Sequence, residues 1–107
     1  MTPKDLKPKG KKLKEGTKFD SGKPDWSLLP LDAVEGVVKV MTFGAKKYAP
    51  NNWKLIKDPE RYRAALLRHM TAQQRGERID SDSGLPHSAH IACNAIFLAW
   101  FEIKGKK

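Results

Sequence analysis

His69, Asp80, His87 and His90 are the residues of this chain whose types and spacing could do chemistry. His87 and His90 stand near the start of "SGLPHSAHIACNAIFLAWFE", residues 83–102, the most apolar stretch of the sequence, and Asn94 follows four residues after His90. Histidines at i and i+3 share one helix face and can close on one metal ion or one anion. An unpaired buried polar group costs about 1–3 kcal/mol, against a total stability of ~5–15 kcal/mol for a small domain. His69, Gln73, His87, His90 and Asn94 all fall on or beside faces expected to be buried, so they need partners. Three arrangements supply them. The groups bond one another in a closed network. Alternatively, the imidazoles bind a metal with further ligands drawn from His69, Glu77, Asp80 and Asp82, in a spacing that matches no defined zinc signature. In the third arrangement the first turns of the helix, with free N–H groups and the positive end of the dipole, receive an anion or a nucleotide.

Cations and aromatics elsewhere in the chain fit the third arrangement. Lys23, Lys46, Lys47 and Arg68 could reach phosphates, Tyr48 and Trp53 could stack on a base, and Asn52 could hydrogen-bond to it, with Asn94 joining from the histidine face. Each also has a plain structural role: Lys46 and Lys47 as a solvated helix end, Trp53 as a loop anchor, Arg68 as a surface charge. Were water to be activated, the candidates are a metal held by His69, Asp80, His87 or His90, or Glu35 acting as general base. Glu35 also stands four residues before Lys39, the spacing of a surface ion pair. Cys93 lies among apolar neighbours, where a thiolate is disfavoured, and reads as an inert core thiol. The sequence holds no Gly-rich phosphate loop, Ser-centred elbow or paired-Cys motif.

Three helices must position these groups, which makes the expected fold class all-α, a small three-helix or slightly larger bundle. In the first, Leu31, Val34, Val37, Val38, Met41, Ala45 and Tyr48 recur at threes and fours, Asp32 and Glu35 have capping-box spacing, and Pro50 is a stop. The second opens on Asp58, Pro59 and Glu60 and runs to Gln74 or Arg75 before Gly76, with Tyr62, Ala65, Leu66, His69, Met70 and Gln73 as its buried stripe. The third is expected from about Ser83 to Ile103. It has two apolar sides, one with His87, Ile91, Asn94, Leu98 and Phe101, the other with Ala89, Cys93, Ile96, Trp100 and Ile103. A unit of this size covers only one side well, so the sequence predicts a homo-oligomer built on the third helix, unless the segment holding Trp26 folds back over it. Links between the helices are short, so neighbours pack antiparallel.

At 107 residues there is room for one domain. The stretch "PKDLKPKGKKLKEGTK" (3–18) carries seven lysines against Asp5 and Glu15, with only Leu6 and Leu13 to bury. Ordering it costs about 1–2 kcal/mol per residue, so residues 1–17 read as a disordered basic arm and residues 18–104 as one helical domain. Net charge is +9, and much of the excess lies in this arm and in Lys104, Lys106 and Lys107. The arm allows contact with nucleic acid, while no basic recognition helix is evident. One cysteine excludes an intramolecular disulfide, and neither a signal peptide nor a membrane-length apolar run is visible, so a cytoplasmic protein without a membrane partner is expected.

The segments "KFDSGKPDWSLLPLDAVEGVVKVMTFGAKKYAPNNW" and "RYRAALLRHMTAQQRGERIDSDSGLPHSAHIACNAIFLAW" resemble the phage and prophage dATP/dGTP diphosphohydrolase N-terminal domain. The resemblance covers about residues 18–100. Its markers are Phe19-Asp20, Gly22-Lys23-Pro24, Leu29-Pro30, Gly44-Ala45, Lys47-Tyr48, Asn52-Trp53, Arg68-His69, Gly76-Glu77, Asp80, Ser83-Gly84, His87, His90 and Asn94. It implies a phage-type nucleotide protein whose reaction class is hydrolysis of a purine deoxynucleoside triphosphate to monophosphate and pyrophosphate, with a divalent metal such as Mg or Mn. The chain has neither a Glu-x-x-Glu pair nor an adjacent His-Asp pair, the ligand motifs of other helical phosphohydrolases. A non-catalytic nucleotide sponge or sensor, and a nucleic-acid accessory protein acting through the basic arm, are the alternative functions.

Overall fold

The computed structural model describes residues 21–105. Among them are three α-helices, α1 (Leu31–Lys47), α2 (Glu60–Gln74) and α3 (His87–Gly105), and no strand. Short 3-10 turns precede α1 (Trp26–Leu28) and α2 (Asn52–Leu55). The all-α expectation holds. The expected arm, residues 1–17, lies outside the described residues.

Helix α1 starts directly after Pro30, whose carbonyl accepts from Ala33 N and Val34 N, both at 3.0 Å. Asp32 therefore falls inside the first turn, its Oδ1 accepting from Ala33 N at 2.9 Å, and the expected capping box with Glu35 does not form. Helix α2 begins where its sequence signal placed it: Asp58 Oδ1 accepts from Glu60 N at 3.1 Å across Pro59. It ends at Gly76, whose φ of +94° is a left-handed conformation that costs glycine little. Helix α3 begins later than expected. Ser83 belongs to a turn, and the helix opens at His87, directly after Pro86.

Helix α3 is central, packing along α2 on one side and more lightly on α1 on another. The core joins Val37 and Val40 of α1 to Ala89, Cys93 and Phe97 of α3, with Trp53, Tyr62 and Leu85 packed against it. The α1–α3 approach is close at Gly36, where a β-carbon would stand in van der Waals contact, 3.4 Å from Ala89 Cβ. Of the expected α1 stripe, Val37 turns inward, joined by Val40, which the stripe did not include, while Val38 and Met41 face out. On α2, Gln73 and Met70 are exposed, so Gln73 takes no part in a buried network. The Ala89 and Cys93 side of α3 is covered by α1, which leaves Ile96 and Ile103 exposed. Trp26 and Leu28 are also exposed and do not cover α3. No helix among the described residues is long and apolar enough to cross a membrane.

Candidate functional site

The link between α2 and α3 is a tight hairpin that delivers Asp80 to the histidines. Ile79 and Pro86 form an antiparallel bridge. Around it, Asp80 N donates to Leu85 O (2.8 Å), Gly84 N to Asp80 O (2.7 Å) and His87 N to Arg78 O (2.9 Å). Inside the turn, Asp80 Oδ2 accepts from Ser83 N at 2.9 Å and from Ser83 Oγ at 2.8 Å. An aspartate followed three residues later by serine and then glycine closes such a turn locally, because the carboxylate replaces a backbone acceptor and Gly84 tolerates its φ of +74°.

Three imidazoles meet above this turn. His69, from the middle of α2, places Nδ1 2.8 Å from His87 Nδ1 and stacks its ring on His90 with centroids 4.3 Å apart. His90 Nε2 lies 2.7 Å from Ser83 Oγ and 3.6 Å from Asp80 Oδ2. Ser83 has one hydroxyl proton; if it goes to the Asp80 carboxylate, His90 must donate to Ser83 through a protonated Nε2. Donor atoms of His69, Asp80 and His87 all lie within 4.8 Å of one another, while His90 braces Asp80 through Ser83. His87 is buried, and its Nε2 has no hydrogen-bond partner; Glu77 Oε1 stands 3.4 Å away without hydrogen-bond alignment.

The electrostatics keep two of these imidazoles neutral. Burial, helped by the neighbouring His90, holds His69 below its ordinary value of 6.5, and Asp80 only partly offsets this. Burial likewise lowers His90, again against the pull of Asp80. For Asp80 itself burial pushes upward, but the Ser83 hydrogen bonds and the nearby imidazoles outweigh it, leaving the carboxyl below its usual 3.8. At neutral pH His69 and Asp80, two of the three grouped donors, are therefore an unprotonated imidazole and an ionised carboxylate, the states that ligate a cation.

The remaining expected site residues are dispersed. Glu35 is exposed on α1, outside the cluster, and forms no ion pair with Lys39 among the described residues. Lys23 is exposed in the turn before α1. Lys47 pairs with Asp82 at 3.2 Å, tying the end of α1 to the hairpin and raising the lysine's pKa. Tyr48 is exposed and Asn52 half-buried. Trp53 is an anchor: it stacks on Phe97 at 4.2 Å, meets Trp100 and Phe101 edge-on, and its carbonyl accepts from Tyr62 Oη at 2.9 Å. Asn94 is buried and donates Nδ2–H back to His90 O at 2.9 Å. Arg68 is exposed and lines a shallow groove of about 420 Å³ with Leu67, Thr71, Ala72, Arg75 and Glu77. Glu77 thus belongs both to this groove and to the surroundings of His87. Arg75 and the bridging role of Ser83 escaped the sequence reading. The Asp80-x-x-Ser83-Gly84 spacing carried the signal for the second, whereas nothing local marks Arg75.

Residues 13–107 match the family model described as dATP/dGTP diphosphohydrolase, N-terminal. The chain belongs to this family. Among curated proteins, a dATP/dGTP diphosphohydrolase of Salmonella phage PMBT28 is 36% identical over 85 residues, which is 79% of this chain and 29% of that protein. This member of the diphosphohydrolase N-terminal family therefore spans under a third of the length of the curated relative it matches. No solved structure matches it.

Proposed function

We propose that this chain binds a purine deoxynucleoside triphosphate together with a divalent cation held by His69, Asp80 and His87, and that it contributes to hydrolysis of the nucleotide to monophosphate and pyrophosphate. The observation that carries the reading is the meeting of those three donor groups within 4.8 Å around an imidazole whose second nitrogen is buried without a hydrogen-bond partner. A sealed interior would pair that nitrogen, because leaving it bare costs about 1–3 kcal/mol. A metal ligand has a use for it: with Nδ1 committed to a cation, Nε2 would carry the proton, and Glu77 Oε1, 3.4 Å away, is near enough to become its outer carboxylate partner after a small realignment. Two imidazoles and one carboxylate suit manganese or another first-row ion better than magnesium, which prefers oxygen ligands.

The chain's own groups then divide the work. Arg68 and Arg75 flank the groove beside Glu77 and can neutralise phosphate oxygens. Its volume of about 420 Å³ is within the range of small-molecule sites. Ser83 holds Asp80 and His90 in place. His90, kept unprotonated at neutral pH and outside the three-donor group, is the imidazole able to take a proton from water. A bound divalent cation would supply charge neutralisation at the phosphates and a more acidic water.

A second reading is binding without turnover, favoured by the absence of a Glu-x-x-Glu pair and by the exposed position of Glu35 away from the cluster. Incubation with dGTP or dATP and manganese, followed by anion-exchange chromatography, distinguishes the two. Release of monophosphate and pyrophosphate, lost in His69→Ala, is the expected outcome. Nucleotide recovered intact, with a raised melting temperature, would leave the binding reading alone. If no purine nucleotide is hydrolysed or shifts the melting temperature, both readings fail.

A further inference from the structure

We infer that the outer face of α1 pairs with α1 of a second copy of this chain, the two helices running antiparallel about a two-fold axis. The inference is independent of the nucleotide reading. Leu31, Val34, Val38, Met41, Ala45 and Tyr48 follow one another at intervals of 3, 4, 3, 4 and 3 residues, the spacing of a heptad seam. The core uses a different face of the same helix, through Val37 and Val40. Leu31 is 71% exposed, Val38 52% and Tyr48 67%, and Met41 also faces out. Val34 and Ala45 are half-buried, so four of the six seam residues stand open to solvent, and a helix with one apolar stripe in the core and a second, regularly spaced and largely exposed one is built to meet another helix.

Charge identifies the occupant. At 100° per residue, Asp32, Glu35, Lys39 and Lys46 all lie along one flank of the seam, while the opposite flank carries Val37 and Gly44. Along the charged flank the acids come first and the bases follow. An antiparallel two-fold pairing sets this flank against the same flank of the partner in reverse, so Asp32 and Glu35 of one copy bracket Lys46 of the other, and the helix dipoles oppose. A parallel pairing would set the charged flank against the apolar one. The seam's centre falls between Val38 and Met41, so each copy's Val38 meets the other's Met41 and Leu31 meets Tyr48. The lysine-rich stretch 3–18, with Leu6 and Leu13 as its only large apolar residues, is chemically a poor match for this stripe.

Size-exclusion chromatography with light scattering at tens of micromolar full-length protein tests the inference. The expected mass is twice the 12.1 kDa of the chain. Val38→Glu is expected to give a monomer with an unchanged far-UV spectrum, since Val38 makes no part of the core. Glu35→Lys should weaken dimerisation roughly tenfold, because the altered contact occurs twice, and Glu35→Lys combined with Lys46→Glu should recover it to within about twofold. A monomeric wild type overturns the proposal, as does a dimer that Val38→Glu leaves intact or a charge-reversed pair that restores nothing.

Discussion

The two halves of α3 solve the same packing problem with opposite chemistry. Its second half buries Phe97 against Trp53 and Tyr62, with Trp100 and Phe101 completing an aromatic cluster whose members stack or meet edge-on. Its first half buries His87, His90 and Asn94, and leaves His87 Nε2 without a hydrogen-bond partner. Apolar side chains in those positions would spare that cost. The contrast teaches that the aromatic end holds the helices together, while the histidine end gives up stability for donor groups that converge on one point.

That contrast can be broken from either side. The largest expected effect is at the aromatic end: Phe97→Ala should lose about 3–5 kcal/mol of unfolding free energy, read by urea denaturation. At the histidine end, Ser83→Ala removes the only side chain bonded to both Asp80 and His90 among the described residues. It should weaken manganese binding by about 10- to 100-fold, measured by calorimetry, with a smaller change in stability than Phe97→Ala.

Acid should separate the two ends more gently. His69 and His90 titrate below 6.5 in the folded protein. The unfolded chain therefore takes up protons first as pH falls through 6.5, and stability declines from there downward. Asp80, held below 3.8, contributes stability that is present above that value and lost on further acidification. Melting temperature should thus drop between about pH 7 and pH 5, and the slope should flatten in a His69→Gln, His90→Gln variant. An equal slope in that variant would place the acid sensitivity elsewhere.

Some of this was legible in the sequence. The start of α2 could be read because Asp58-Pro59-Glu60 and Gly76 act locally, through a cap, a fixed φ and a left-handed turn. The start of α3 could not, since Ser83 looks like a cap until Asp80 is seen to claim it. The inward face of α1 was ambiguous for a related reason: Val37 and Val38, like Val40 and Met41, are adjacent apolar pairs, so periodicity supports two stripes and only the position of α3 chooses between them. The three histidines of the cluster were legible by their polarity on apolar faces, and Asp80 as an acid in the loop that joins α2 to α3. Their mutual geometry depends on the hairpin, which no spacing rule describes. Trp53 was open to two roles, and its contacts with Phe97 and Tyr62 are those of an anchor.

Titration with cobalt(II), followed by visible absorption, tests most directly whether the cluster is a receiving site. The wild type should develop ligand-field bands that saturate at one ion per chain, compete with manganese, and vanish in His69→Leu and His87→Leu while both variants stay folded. Failure of the wild type to develop those bands, or their persistence in both variants, would show that the imidazoles only fill the interior.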